Sequence, residues 1–255
     1  MTSRPAFRTG ATGLLLAALL AAAAAGRTAD RAPAADSLPV GPFSTASAGG
    51  PFPDGWVPLT FEKIPRHSRY ALVDDHGTVV VKATSTGAAS GLIRKVRIDP
   101  ETYPVIRWRW KVAGVYQRGD VTRKAGDDYP ARLYVTFVYD PSRAGFLDRA
   151  IFESARLARG EYPPMGAITY IWASKAPTGE IHDNPYTDKV KMIVVRSGAA
   201  DAGRWFSESR NLLEDYRRAF GSDPTAVSGV AIMTDTDNTG ASGTAYYGDI
   251  AFGRE

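Results

Sequence analysis

Residues 105–112, VIRWRWKV, carry large apolar side chains at alternate positions. Successive side chains of a strand point to opposite faces. Trp108, Trp110 and Val112 therefore share one face, and Arg107, Arg109 and Lys111 the other. Such a segment requires a sheet with one buried side. Residues 133–139 repeat the pattern: Leu133, Val135 and Phe137 oppose Arg132, Tyr134 and Thr136. The two strands are expected to form the centre of one half-buried antiparallel sheet. That pairing would gather Arg107, Arg109, Lys111, Arg132 and Tyr134 on one polar surface.

Further short strands are expected at 40–45, 57–61, 70–73, 78–83, 92–98, 167–173, 190–196, 204–208, 227–233 and 246–252. Asp75-His76-Gly77 is a turn signal that makes 70–73 and 78–83 a hairpin. Two helices interrupt the series. Residues 145–159 place Phe146, Ala150, Ile151, Ala155 and Ala158 at helical spacing, and Gly160, Pro163 and Pro164 end that helix. Residues 211–220 put Leu212, Tyr216 and Phe220 on one side, with Gly221 as the terminating residue. Helices do not alternate with strands, so a parallel α/β fold is disfavoured. The expected class is all-β with minor helical insertions: an antiparallel β-sandwich, specifically a jelly roll.

The first 25 residues stand apart. Arg4 and Arg8 precede an apolar core at 14–20 and a small-residue run at 21–25, the pattern of a signal peptide cleaved near Ala25. The apolar core is short beside the roughly 20 residues of a membrane span. Residues 26–39 read as a flexible tether, and 40–255 as a single β-sandwich domain. The expectation is export to the periplasm or beyond, with no membrane attachment after cleavage. Losing Arg4 and Arg8 lowers the net charge from +4 to +2, and no long basic run remains. Nucleic acid is excluded as a partner on that ground. The chain has no cysteine, so an apolar core supplies its stability.

Two polar clusters are candidates for chemistry. Asp235, Asp237 and Asn238 open a stretch, DTDNTG, with oxygen ligands at positions one, three and five and glycine at six. Calcium takes such hard ligands. Position twelve is Tyr246, however, where an EF-hand carries glutamate, and strands flank the loop. Asp235 and Asp237 are weak calcium candidates, and acids that cap a turn through local backbone hydrogen bonds are the simpler reading. No other cofactor is expected. In the second cluster Asp127 and Asp128 precede Arg132, which can pair with either. With Arg109 on its strand and Asp249 on the last one, these groups could grip a polyhydroxylated or anionic ligand. Trp56, Trp172 and Trp205 could stack on a sugar, although core packing suits their strand positions better.

Three scattered histidines show no zinc spacing, and no nucleophile elbow, phosphate loop or dinucleotide fingerprint is present. A two-carboxylate glycosidase stays open because its acids need no motif. Glu153 and Glu161 lie in or beside a helix and read as solvated.

The segments GDDYPARLYVTF, RWRWKV, GRWFSESRNLLEDYRRAFG and MTDTDNTG with AYYGDIAF resemble the DUF3047 family of exported bacterial proteins of unknown function. The resemblance runs from about Val40 to the C-terminus. It implies a signal peptide followed by one domain, and no activity or catalytic residue. The closing strand-loop-strand layout is similar to jelly-roll carbohydrate-binding modules, a likeness of fold alone. The expected function is an exported binding module for a carbohydrate or cell-envelope glycan. Its expected ligand-binding residues are Arg109, Asp127, Asp128, Arg132, Asp235, Asp237, Asn238 and Asp249. The alternatives are a polysaccharide hydrolase or lyase using a carboxylate pair, and a structural envelope protein that binds other proteins.

Overall fold

The computed structural model describes residues 36–255, so the expected signal peptide and residues 26–35 of the expected tether lie outside the described residues. The strands are β1 (Ser37–Gly41), β2 (Trp56–Leu59), β3 (Arg69–Asp75), β4 (Thr78–Thr86), β5 (Gly91–Ile98), β6 (Val105–Val112) and β7 (Ala131–Phe137). They continue with β8 (Gly166–Ala173), β9 (Ile181–Asn184), β10 (Thr187–Ser197), β11 (Phe206–Asn211), β12 (Val227–Met233) and β13 (Ser242–Gly253). The helices are α1 (Phe146–Arg159) and α2 (Leu212–Phe220).

Two sheets form a β-sandwich. The six-stranded sheet runs β11-β6-β13-β4-β3, with β1 added to β13. The seven-stranded sheet runs β2-β5-β12-β7-β8-β10-β9. Pairing is antiparallel except between β8 and β10, which are parallel. The tether expected to reach residue 39 ends sooner: Leu38 already pairs with Phe252 in β1. Residues 43–45, expected as the end of that strand, form a 3-10 turn instead.

The expected pairing of the two alternating segments is incorrect. β6 pairs with β11 and β13, whereas β7 pairs with β12 and β8 in the other sheet. Alternation fixes which side chains are buried, not which strand lies alongside. Trp108 of β6 stacks on Tyr170 of β8, with centroids 5.0 Å apart and planes at 29°. Trp110 meets Trp172 at 6.1 Å. Leu133, Val135 and Phe137 join this core between the sheets. Trp56 and Trp172 are core residues, and their indole N–H groups donate to the carbonyls of Val40 and Gly198 at 2.9 and 3.0 Å. Trp205 lies on the outer face of the six-stranded sheet, over Arg109.

The 75–78 hairpin forms as expected. His76 and Gly77, with φ of 57° and 84°, supply the two left-handed residues of a tight turn matched to strand twist. In α2, Asn211 accepts the N–H of Glu214 at 3.1 Å and Gly221 ends the helix in the left-handed region. Helix α1 departs from expectation. Phe152 is its inward anchor, stacked on Tyr139 at 4.0 Å, while Phe146 and Ile151 are 85% and 63% exposed.

A second layer covers part of the seven-stranded sheet's outer face. The 113–130 connection crosses from β6 to β7 and lays Val121 and Tyr129 on Ile171, Ala173, Met192 and Val194. This layer buries β8 on both sides and carries Asp127 and Asp128 to the end of β12.

Candidate functional site

The polar loop after β12 is held from all sides. Thr234 donates through Oγ1 to the Pro130 carbonyl at 2.9 Å, and the Thr236 N–H reaches the Ala88 carbonyl at 2.9 Å. Thr236 Oγ1 meets Ser85 Oγ at 2.8 Å, and the Tyr247 hydroxyl donates to the Met233 carbonyl at 2.6 Å. Thr234, Asp235, Thr236 and Thr239 are buried as a result. Hydroxyl-rich sequence here is what lets a loop lie inside the protein, because each buried polar group finds a partner.

The two acidic loops meet. Asp128 accepts from the N–H and Oγ1 of Thr239, both at 2.6 Å, and from the N–H and Nδ2 of Asn238 at 3.2 and 3.3 Å. Asp235 accepts from the Tyr129 N–H at 3.2 Å and from Arg132 through Nε at 3.0 Å and through Nη2. Arg132 Nη2 also donates to the Asp127 carbonyl, and Nη1 donates to the Tyr134 hydroxyl at 3.2 Å. Asp127 takes the Asn184 amide at 3.1 Å and a long contact of 3.5 Å from Arg132. The Arg132 guanidinium lies 4.2 Å from the Tyr129 ring centroid. Asp127, Asp128 and Asp235 thus bind across loops rather than capping their own turn.

Charge and burial compete in this knot. Burial alone would lower the Arg132 pKa, but the Asp235 and Asp127 carboxylates hold it well above its usual value. Burial pushes the Asp235 carboxyl up to about 7 against the pull of Arg132, with Asp128 and Asp127 adding repulsion. Asp237 is also raised, first by its half-burial and then by Asp128. Its carboxylate accepts no side-chain donor and forms no ion pair among the described residues.

Beside the knot a cavity of about 560 Å³ opens on the outer face of the seven-stranded sheet. Asp127, Arg132, Asp235, Asp237 and Asn238 line its polar wall, with Asn184 beside them. Phe61, Ile64, Ala89, Tyr134, Tyr186, Val190 and Met233 line the rest. Tyr186 is 56% exposed and Phe61 36% exposed. The Tyr186 hydroxyl donates to Asn238 Oδ1 at 2.7 Å, and its ring lies 5.1 Å from the Lys124 ammonium.

Six of the eight expected residues converge here. Arg109 and Asp249 do not, and the shared arginine surface does not exist. Arg107, Arg109 and Lys111 face outward from the six-stranded sheet, whereas Arg132 and Tyr134 face outward from the seven-stranded one. Asp249 binds the N–H and Oγ of Ser44 at 2.7 and 2.5 Å, and Arg109 lies 4.6 Å from the Trp205 ring centroid. Phe61, Asn184 and Tyr186 were not expected at a site. The short turn Asn184-Pro185-Tyr186 was the available signal, and only tertiary structure brings it to Asp127.

Oxygens of Asp128, Asp235 and Asp237 lie within 4.8 Å of one another. A calcium ion takes six to eight oxygen ligands. The oxygens of Asp128 and Asp235 already accept protein donors, and Arg132 fills the cation position between the loops. Only Asp237 is free to turn to an ion, so the donor set does not fit calcium.

The model of a family described as protein of unknown function, DUF3047, matches residues 54–251. No curated protein matches the sequence. Similar solved structures include the family 30 carbohydrate-binding module of a cellulosomal cellulase of Clostridium thermocellum. It is 13% identical, with a TM-score of 0.39 over 86% of this chain and 98% of that one. A family 29 carbohydrate-binding module mutant complexed with cellulohexaose is 8% identical, with a TM-score of 0.34 over 86% and 92%. The carbohydrate recognition domain of Emp47p is 13% identical, with a TM-score of 0.40 over 86% and 94%. At these scores the likeness carries no weight for function.

Proposed function

The chain belongs to the DUF3047 family of proteins of unknown function, and from that starting point we propose that the cavity beside Arg132 is a carbohydrate-binding site. One observation carries the reading: solvent-exposed Tyr186 and Phe61 border the same cavity as Asp127, Asn184, Asp237 and Asn238. A sugar ring presents an apolar C–H face that packs on an aromatic ring, and hydroxyls at its edge that need acceptors. Aromatic walls with a few fixed polar groups meet both demands. The loops bearing those groups are held by buried hydrogen bonds before any ligand arrives, which reduces the ordering cost of binding.

Binding is favoured over hydrolysis. A carboxylate pair needs two acids open to substrate on either side of a bond. Asp235 is enclosed by Arg132 and Tyr129, Asp128 by Asn238 and Thr239, and Asp127 is buried against Asn184. Asp237 stands alone as the accessible acid at the wall. The export expected from residues 1–25 belongs to the same proposal, since it would bring the site to envelope or environmental glycans.

A glycan array with the purified protein, followed by calorimetry on the hits, tests the reading. Tyr186→Ala should weaken binding at least about tenfold, equivalent to about 1.4 kcal/mol, with an unchanged circular dichroism spectrum. Silence across neutral, amino and uronic polysaccharides would contradict it, as would binding indifferent to Tyr186.

A further inference from the structure

The charge of the cavity wall narrows the class of sugar. Asp127, Asp128, Asp235 and Asp237 bring four carboxylates to one place, and Arg132 is the cation buried among them. Lys124 stands beside Tyr186 at the rim. Counting Lys124 at the rim and Arg118, which donates to the Thr239 carbonyl at 3.2 Å, four carboxyl groups meet three cations. Asp128 and Asp235 direct their oxygens at protein donors, so the excess charge reaches the cavity through Asp237, with Asp127 beside it. Asp237 is half-buried, lines the cavity and accepts no side-chain donor among the described residues.

Two further features of the cavity fit a cation. Tyr186, Tyr134 and Phe61 line the cavity, and aromatic ring faces attract an ammonium group once water is excluded. Tyr186 already lies within range of one ammonium, that of Lys124. The opposite sign is poorly served. Arg132 spends Nε and Nη2 on Asp235 and the Asp127 backbone and turns Nη1 to Tyr134, so a ligand carboxylate would meet acids rather than a free guanidinium.

We propose that this site selects sugars bearing a free amine, such as 2-amino-2-deoxyhexose oligomers, over their N-acetylated, neutral and uronic counterparts. The inference rests on the carbohydrate reading above. Asp237 accepts the ammonium N–H groups, and an aromatic wall packs against the ring that carries them. A charge-assisted hydrogen bond is about twice as strong as a neutral one, which sets the expected preference at about tenfold.

The test is calorimetry on the full protein with five probes: hexaglucosamine, hexa-N-acetylglucosamine, cellohexaose, hexagalacturonate and tetralysine. Hexaglucosamine should bind about tenfold tighter than its acetylated form, and Asp237→Asn should reduce that ratio to within about threefold with an unchanged circular dichroism spectrum. The preference should also fade in high salt. Equal binding of the first three hexamers, or a preference that survives Asp237→Asn, overturns the amine selection and leaves carbohydrate binding standing. Tighter binding of hexagalacturonate also overturns it. Tetralysine bound with no hexamer bound overturns the carbohydrate reading and the amino-sugar assignment with it, and so does no binding of any probe.

Discussion

Arg132 decides what the site is. Sequence placed it among possible sugar-gripping side chains on an exposed face. In the fold it is 3% exposed and closes the two acidic loops on each other. Removing one partner of a buried pair leaves an uncompensated charge, so Arg132→Ala should lower unfolding free energy by about 3–5 kcal/mol in urea titrations. Arg132→Lys should recover little, because a lysine cannot reproduce the forked contacts to Asp235 and the Asp127 carbonyl. Asp235 gives a pH signature. Its pKa is about 7 in the fold and near the ordinary 3.8 when unfolded, so the folded state binds the extra proton between those values. Stability from this group is therefore greatest below about pH 4 and is lost as pH rises to about 7. Asp120, held down to about 2 by Thr122, loses its contribution only at lower pH and does not blur that window. Melting curves should show wild type losing stability relative to Asp235→Asn between pH 4.5 and 8. A constant difference across that range contradicts the assignment.

At the level of elements, alternation was readable and partnership was not. β6 matches its expected bounds through side-chain period, and β12 matches its own through a near-continuous apolar run. The error was to pair β6 with β7. Their 113–130 connection crosses to the opposite sheet and then packs Val121 and Tyr129 as a second layer, and no local pattern announces either event. That same connection creates the site, so the site was legible as residues and invisible as a place. Helix α1 shows the complementary error. Spacing marked Phe146 and Ile151 as inward, yet the protein docks the helix through Phe152. Phe152→Ala should cost about 3 kcal/mol or more. Ile151→Ser should change stability by less than about 0.5 kcal/mol, because the side chain is already in water. Equal losses in the two variants would mean that the helix packs the other way.

Over the whole molecule, two sheets with aromatic side chains between them make a rigid support for one cavity. Of the three tryptophans that sequence offered as sugar platforms, Trp172 is buried between the sheets and Trp56 is buried as well, while Trp205 lies over Arg109 on the outer face of the other sheet. Tyr186 and Phe61, smaller and less conspicuous in the chain, are the aromatics left at the cavity. Export remains a proposal, and N-terminal sequencing of the secreted protein should begin near Gly26. A start at Met1 would contradict it. The central claim concerns place: the cavity between the 126–132 and 234–240 loops receives the sugar. Nuclear magnetic resonance of isotope-labelled protein titrated with a hit from the glycan array tests it most directly. The account predicts amide shifts at Asp127, Asn184, Tyr186, Asp237 and Asn238 with saturation at one equivalent. Shifts centred instead on Arg109, Trp205 and Asp249, across the sandwich on the other sheet, would contradict it.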